Sequence, residues 1–145
     1  MQQFEYKRYR FPNGHEIARP VIRILIRNPH TNQAIEYEAL VDSGSDRCIF
    51  PSDIGEIIGI DIAAGKREFV GGVVEGERRP IYLHPVEITP GGYWNGRILH
   101  LMAAFMPDLS DNGHGLLGQN GFFDNVSFVK FRTRTGILEL GSRWR

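Results

Sequence analysis

The chain is a succession of short apolar or alternating runs cut by Gly, Pro and Asn, a spacing that suits strands and turns and leaves little room for long helices. Residues Val21–Arg27 set Ile22, Ile24 and Ile26 against Arg23, Leu25 and Arg27, the two-residue period of a strand with one apolar face. Asn28, Pro29, His30, Thr31 and Asn32 supply a turn. Residues Ala34–Val41 then return, which predicts a hairpin. Further strands are expected over residues 66–74, 79–89, 97–105 and 126–131 and at Ile137–Leu140, with turns at Pro90, Gly91, Gly92 and at Arg134, Thr135, Gly136. A short helix is expected at residues 51–58, with Asp53 and Glu56 at capping-box spacing and Gly59 limiting it. The fold class is all-β.

The returning strand ends in Ala39, Leu40 and Val41 and delivers Asp42, Ser43 and Gly44, followed by Ser45, Asp46, Arg47, Cys48, Ile49 and Phe50. A carboxylate at the end of a buried strand has lost part of its hydration and needs donors or a partner. Ser43 offers a hydroxyl. Gly44 is expected to adopt backbone angles closed to side chains and to let another chain approach. Asp, Ser and Gly are also the ordinary residues of turns, so the triplet by itself leaves a plain turn and a catalytic acid both open.

Composition limits the alternatives. A chain of 145 residues, 41% of them hydrophobic, is expected to form one globular domain with a real core. Seventeen basic and seventeen acidic residues cancel, so no overall field favours nucleic acid or an anionic membrane. The arginines near the two ends (Arg8, Arg10, Arg132, Arg134, Arg143 and Arg145) read as a solvated basic rim. Cys48, the one cysteine, excludes an intrachain disulfide and reads as a small core residue. No apolar signal core opens the chain and no run reaches membrane-spanning length, so a soluble, cytoplasmic protein is expected. His15, His30, His84, His100 and His114 show no ligand spacing, and neither a phosphate loop nor a dinucleotide fingerprint is present. No metal and no cofactor are expected. Ser43 and Ser45 lie outside any Gly-x-Ser-x-Gly elbow.

A second element lies downstream: Gly115, Leu116, Leu117, Gly118, Gln119, Asn120, Gly121, Phe122, Phe123 and Asp124, then an alternating run at residues 126–131. Between the two motifs stands a Gly-rich segment, Phe69, Val70, Gly71, Gly72, Val73, Val74, Glu75, Gly76 and Glu77. The order of these parts resembles the retropepsin-type aspartic proteases: an apolar pair entering Asp-Ser/Thr-Gly, a glycine-rich hairpin, then an apolar pair entering Gly and a short helix. The resemblance spans residues 22–140, preceded by an N-terminal extension at 1–18.

The resemblance implies a closed β-barrel and an aspartic endopeptidase acting on a peptide or protein substrate. Asp42 would be catalytic, with Ser43, Gly44 and Ser45 supporting the site. Gly44, Asp46 and, from the flap hairpin, Gly71, Gly72 and Val73 would contact substrate. Leu116, Leu117 and Gly118 would pack beneath the active loop. The hairpin reads as a plain connection or as a closing lid, and the resemblance favours the lid. The chemistry needs two carboxylates and the chain supplies one such motif, Asp111 and Asp124 lacking its setting. A homodimer with Asp42 beside its two-fold axis would provide both, and Ile137–Leu140 adding to its symmetry mate is one route to it. Many retroviral members carry Arg directly after the second glycine. This chain has Gln119 there, which leaves Asp46 without its usual partner; Arg47, adjacent on an extended strand, is expected to face the other way. An inactive dimeric peptide-binding or scaffold module on the same fold, and an unrelated all-β binding domain, remain as alternatives.

Overall fold

The computed structural model of the chain describes residues 2–71, 76–92, 96–107, 109 and 113–141. Among them the strands are β1 (Gln2–Glu5), β2 (Lys7–Arg10), β3 (Glu16–Arg19), β4 (Val21–Arg27), β5 (Ala34–Val41), β6 (Ile49–Pro51), β7 (Lys66–Gly71), β8 (Arg78–Pro90), β9 (Leu99–Met106), β10 (Gly115–Leu117), β11 (Val129–Arg132) and β12 (Ile137–Leu140). One helix, α1 (Ser52–Ile57), and 3-10 turns at Ile62–Ala64 and Phe123–Asn125 complete the elements.

The largest sheet runs β4-β5-β10-β6-β9-β8-β7, and β4 also pairs with β8. Six strands therefore pair in a ring, with β7 attached outside it. The thirteen residues of β8 make this possible by serving three partners in turn. Arg78 to Leu83 pair with β7, Tyr82 to Ile88 with β9, and Glu87 to Pro90 with β4. The apolar face of β4 supplies Ile22, Ile24 and Ile26 to a core that includes Phe50, Ile88, Phe105 and Leu117. A second, smaller cluster of Ile81, Leu83, Ala104 and Met106 collects Ile49, Val70 and Leu109.

The β4–β5 hairpin has the register that the alternation predicts, from Val21 opposite Leu40 to Arg27 opposite Ala34. Asn32 takes φ 63° in its turn. The expected capping box does not form. The N-cap is Pro51, extended at φ −60° and ψ 142°, and it makes no side-chain cap bond. Strand β6 runs straight into α1, so the capping position falls on a residue without an acceptor. The helix stops where Gly59 adopts φ +83°. The alternation predicts an extended run over residues 126–131, yet β11 begins only at Val129, because the 3-10 turn at Phe123–Asn125 occupies the approach.

The N-terminal segment is built into the fold. β1 pairs with β12, and β12 with β11, in a three-stranded sheet. Both edges of β12 are thus used within the chain, which overturns the expectation that Ile137–Leu140 pairs with a symmetry mate. β2 and β3 form a separate two-stranded ribbon. On β12, Leu138 and Leu140 enter the core while Glu139, on the opposite face, is also buried. Its carboxylate accepts from Arg132 Nε of β11 at 2.5 Å and from Gln3 Nε2 of β1 at 3.1 Å, so one side chain ties the three strands together.

The Arg132 hydrogen bond holds the Glu139 carboxyl below its ordinary value of 4.5, against the opposing effect of burial. A carboxyl depressed in the folded state stabilises the fold above its unfolded pKa and loses that contribution as pH falls through the folded one. Glu139→Gln is therefore expected to lower stability at neutral pH, with the gap from the parent chain narrowing as pH drops below 4.5. Denaturant unfolding across a pH series reads this; a gap independent of pH would contradict it.

Candidate active site

Strand β10 lies between the strand that leads into the Asp42 turn and the strand that leads out of it. It runs parallel to β5, with Leu117 opposite Val41, and antiparallel to β6, with Leu116 opposite Ile49. The turn must therefore step over an intervening strand, a gap of about 10 Å between strand axes. Glycine makes the insertion possible. A Cβ on Gly115 would lie 2.5 Å from the Phe50 ring, and one on Gly118 would lie against the carbonyl oxygens of Arg47 and Ser45, 2.5 Å from the latter.

Main-chain hydrogen bonds fasten the turn to β10 and to the residues after it. The Asp42 N–H donates to Leu117 O (2.9 Å), Gln119 N–H to Ser45 O (2.8 Å) and Asn120 N–H to Asp46 O (2.9 Å). Within the turn, Ser45 N–H donates to Asp42 O at 3.1 Å and Ser45 Oγ to Arg47 O at 2.8 Å. Beneath it, the buried Cys48 Sγ accepts from Gly118 N–H at 3.4 Å and donates to Asn120 O at 3.5 Å. Burial pushes the Cys48 thiol from 9.0 up to about 11, partly opposed by the Gly118 N–H. Thiolate is the reactive form, so the native chain is expected to resist iodoacetamide at mildly alkaline pH and to take up one equivalent when unfolded. Mass spectrometry would show this, and equal labelling of both states would contradict it.

The Asp42 carboxylate is partly exposed and accepts the Gly44 N–H at Oδ1, 3.0 Å away. No ion pair engages it among the described residues. Gly44 is not in the left-handed region, so its expected conformational role is replaced by a spatial one. A Cβ there would stand 3.3 Å from Asp42 Oδ1, crowding the acceptor. Ser43 is exposed, and its carbonyl accepts from Gln119 Nε2 at 2.8 Å. Gln119, expected only as a missing arginine, thus braces the turn from the far side of β10. The side chain of Asp46 has no hydrogen bond or ion pair among the described residues.

A cavity of about 790 Å³ opens from this turn. Asp42, Gly44, Ser45, Asp46 and Arg47 form one wall and Glu68, Phe69, Val70 and Gly71 of β7 the other, with Ile49, Met106 and Leu116 as an apolar floor. Of the residues singled out from the sequence, Asp42, Gly44, Ser45, Asp46 and Gly71 share this cavity. Ser43 does not line it, and Gly72 and Val73 lie outside the described residues. Arg47 pairs with Glu68 at 2.5 Å, and Lys66 approaches the same carboxylate at 3.6 Å, so an ion pair links the turn to the hairpin. Nothing in the local sequence pattern couples residues 47 and 68. Asp124, the other carboxylate of the second motif, accepts the Gly121 N–H at 2.9 Å and so shapes that turn. Three or more His, Cys, Asp or Glu side chains able to hold a metal do not cluster among the described residues, and no described helix is long and apolar enough to cross a membrane.

The fold is similar to that of a solved protein. The crystal structure of a retropepsin-like aspartic protease from Rickettsia conorii superposes with a TM-score of 0.57, over 96% of this chain and 89% of that one, at 16% sequence identity. The fold is retropepsin-like. No protein-family model matches the chain, and no curated protein does. At this identity the likeness is one of fold, and fold alone does not fix function.

Gly118→Ala is expected to cost roughly 1–3 kcal/mol, as overpacking does, because the carbonyls it meets are backbone held by hydrogen bonds. Chemical denaturation would measure the loss; a neutral substitution would mean that the turn and β10 separate without penalty.

Proposed function

We propose that the chain is an aspartic endopeptidase that acts as a homodimer, a single retropepsin-like domain over residues 1–145 whose ring of six paired strands is a closed barrel. The observation that carries the reading is the position of Asp42: just before a glycine turn, after a strand whose last residues include the buried Ala39 and Val41, and facing a cleft whose opposite wall is a hairpin. A two-fold axis beside this turn brings the same carboxylate from each subunit to one place. Two carboxylates that close share a proton and titrate as a pair. The ionised one accepts a proton from a water held between them, while the protonated one donates to the scissile carbonyl. The tetrahedral intermediate then collapses with the roles exchanged, and no covalent enzyme species forms.

The other residues act around that pair. The Gly44 N–H bond to Asp42 Oδ1 fixes the carboxylate's orientation, and the Gln119 bond to the Ser43 carbonyl keeps the turn from shifting when substrate enters. Asp46, on the cavity wall and without a side-chain partner among the described residues, would accept a peptide N–H. Gly71 and the adjoining Gly72 and Val73 make the hairpin a lid that closes over the peptide and excludes water. The substrate is a peptide or protein segment held extended in the cleft.

Asp42→Asn removes the proton acceptor while keeping the side chain's size. Peptide-library cleavage read by mass spectrometry is expected to fall by about 10²-fold or more, with the dimer retained in sedimentation. Binding of peptides without cleavage by the parent chain at any pH would assign a scaffold role instead, and a strict monomer at high concentration would remove the mechanism.

A further inference from the structure

The β7–β8 hairpin carries four basic residues and, in Glu68, Glu75, Glu77 and Glu87, four acidic ones, so it is the placement of two of its arginines that sets it apart and not its net charge. Lys66, Arg67, Arg78 and Arg79 stand on its described strands beside Glu68, and Glu68 is already paired with Arg47 and Lys66. The guanidinium groups of Arg67 and Arg78 have no carboxylate partner and donate no hydrogen bond among the described residues. Both instead lie over the ring of Phe69, with the guanidinium carbons 5.4 and 5.1 Å from its centroid. The pairing explains the geometry. Gly71 stands opposite Arg78 and Phe69 opposite Pro80, so the two-residue period puts Arg67, Phe69 and Arg78 on one face of the ribbon. Phe69 remains 48% exposed and borders the cavity that holds Asp42.

A guanidinium resting on an aromatic ring uses its face and leaves its in-plane N–H donors free, in a fork that matches a carboxylate. Two such forks on one exposed ring make an apolar plate with two anion sites. We propose that Arg67, Phe69 and Arg78 form a docking surface for an acidic segment of the peptide substrate, with Asp or Glu side chains placed next to an apolar residue; this rests on the endopeptidase reading. A polyanionic backbone is disfavoured as the occupant. Continuing into the cavity, it would meet Asp42 and Asp46, whereas the main chain of a peptide is neutral there and only its flanking side chains meet the arginines.

The test uses full-length Asp42→Asn protein and short fluorescein-labelled peptides with a central Leu-Phe pair flanked by glutamates, glutamines or lysines, with an oligothymidylate as the nucleic-acid probe. The glutamate peptide is expected to bind about tenfold or more tighter than the glutamine peptide in anisotropy titrations at low salt. Added salt should shrink that gap. Adding Arg67→Ser and Arg78→Ser should abolish the preference, bringing the glutamate peptide's affinity down to that of the glutamine peptide. Where that variant fails to fold by circular dichroism, Arg67→Lys with Arg78→Lys serves: the fork is lost and the charge kept, so the preference should weaken, and an undiminished one would overturn the role of the cluster. Equal affinity for glutamate and glutamine peptides, or tighter binding of the oligothymidylate, would also overturn it. Cleavage by the parent chain is scored separately. Acid-selective binding without cleavage retains this surface and removes the endopeptidase reading; cleavage without acid selectivity does the reverse.

Discussion

The passage of β10 between β5 and β6 is the constraint on which the rest of the site depends. A turn joining adjacent antiparallel strands would be a tight hairpin, whereas this one must bridge two inter-strand spacings and so projects residues 42–48 over the end of the sheet. Its backbone polar groups would go unpaired if left there, a cost that few folds leave uncompensated. They are met by Leu117, Gln119 and Asn120 from the strand below, which is why the second motif has to follow the first at long range. The glycines of that motif are needed because Phe50 and the turn's own carbonyls leave no space for a side chain.

The terminal sheet is a second and separate piece of organisation. β12, the last described strand, is flanked by β1 and β11, and its Glu139 is held by a side chain from each neighbour. Buried carboxylates are costly when unpartnered, and here the partners come from different strands, so the arrangement specifies register as well as neutralising charge. The edges this sheet leaves open are β1 and β11, which shifts any strand-addition contact away from β12.

Around the cavity the turn contributes Asp42, Asp46 and Arg47 and the hairpin contributes Glu68, and the Arg47–Glu68 pair crosses between the two walls. An ion pair between half-exposed groups adds little stability, so its consequence is geometric: it ties the base of a hairpin to the turn opposite. Ile49 and Met106 of the apolar floor belong to the smaller hydrophobic cluster, so the cleft is continuous with packed structure.

Local sequence determined the all-β character, the β4–β5 hairpin with its register, the position of β12 and the delivery of Asp42 to a strand end, because alternation and turn residues act over a few positions. It also marked Gly115, Leu117 and Gly118 as a partner motif through their resemblance to a known pattern. It missed β1, β2 and β3, whose mixed polar residues carry weak alternation, and it placed a capping box where Pro51 instead leads the helix. Only the tertiary structure decided that Gln119 braces Ser43, that Arg47 pairs with Glu68, that Gly44 lies outside the left-handed region and close against Asp42 Oδ1, and that β12 is closed on both edges. Each of these is a contact between residues far apart in the chain or a matter of volume, and neither leaves a period in the sequence to be read.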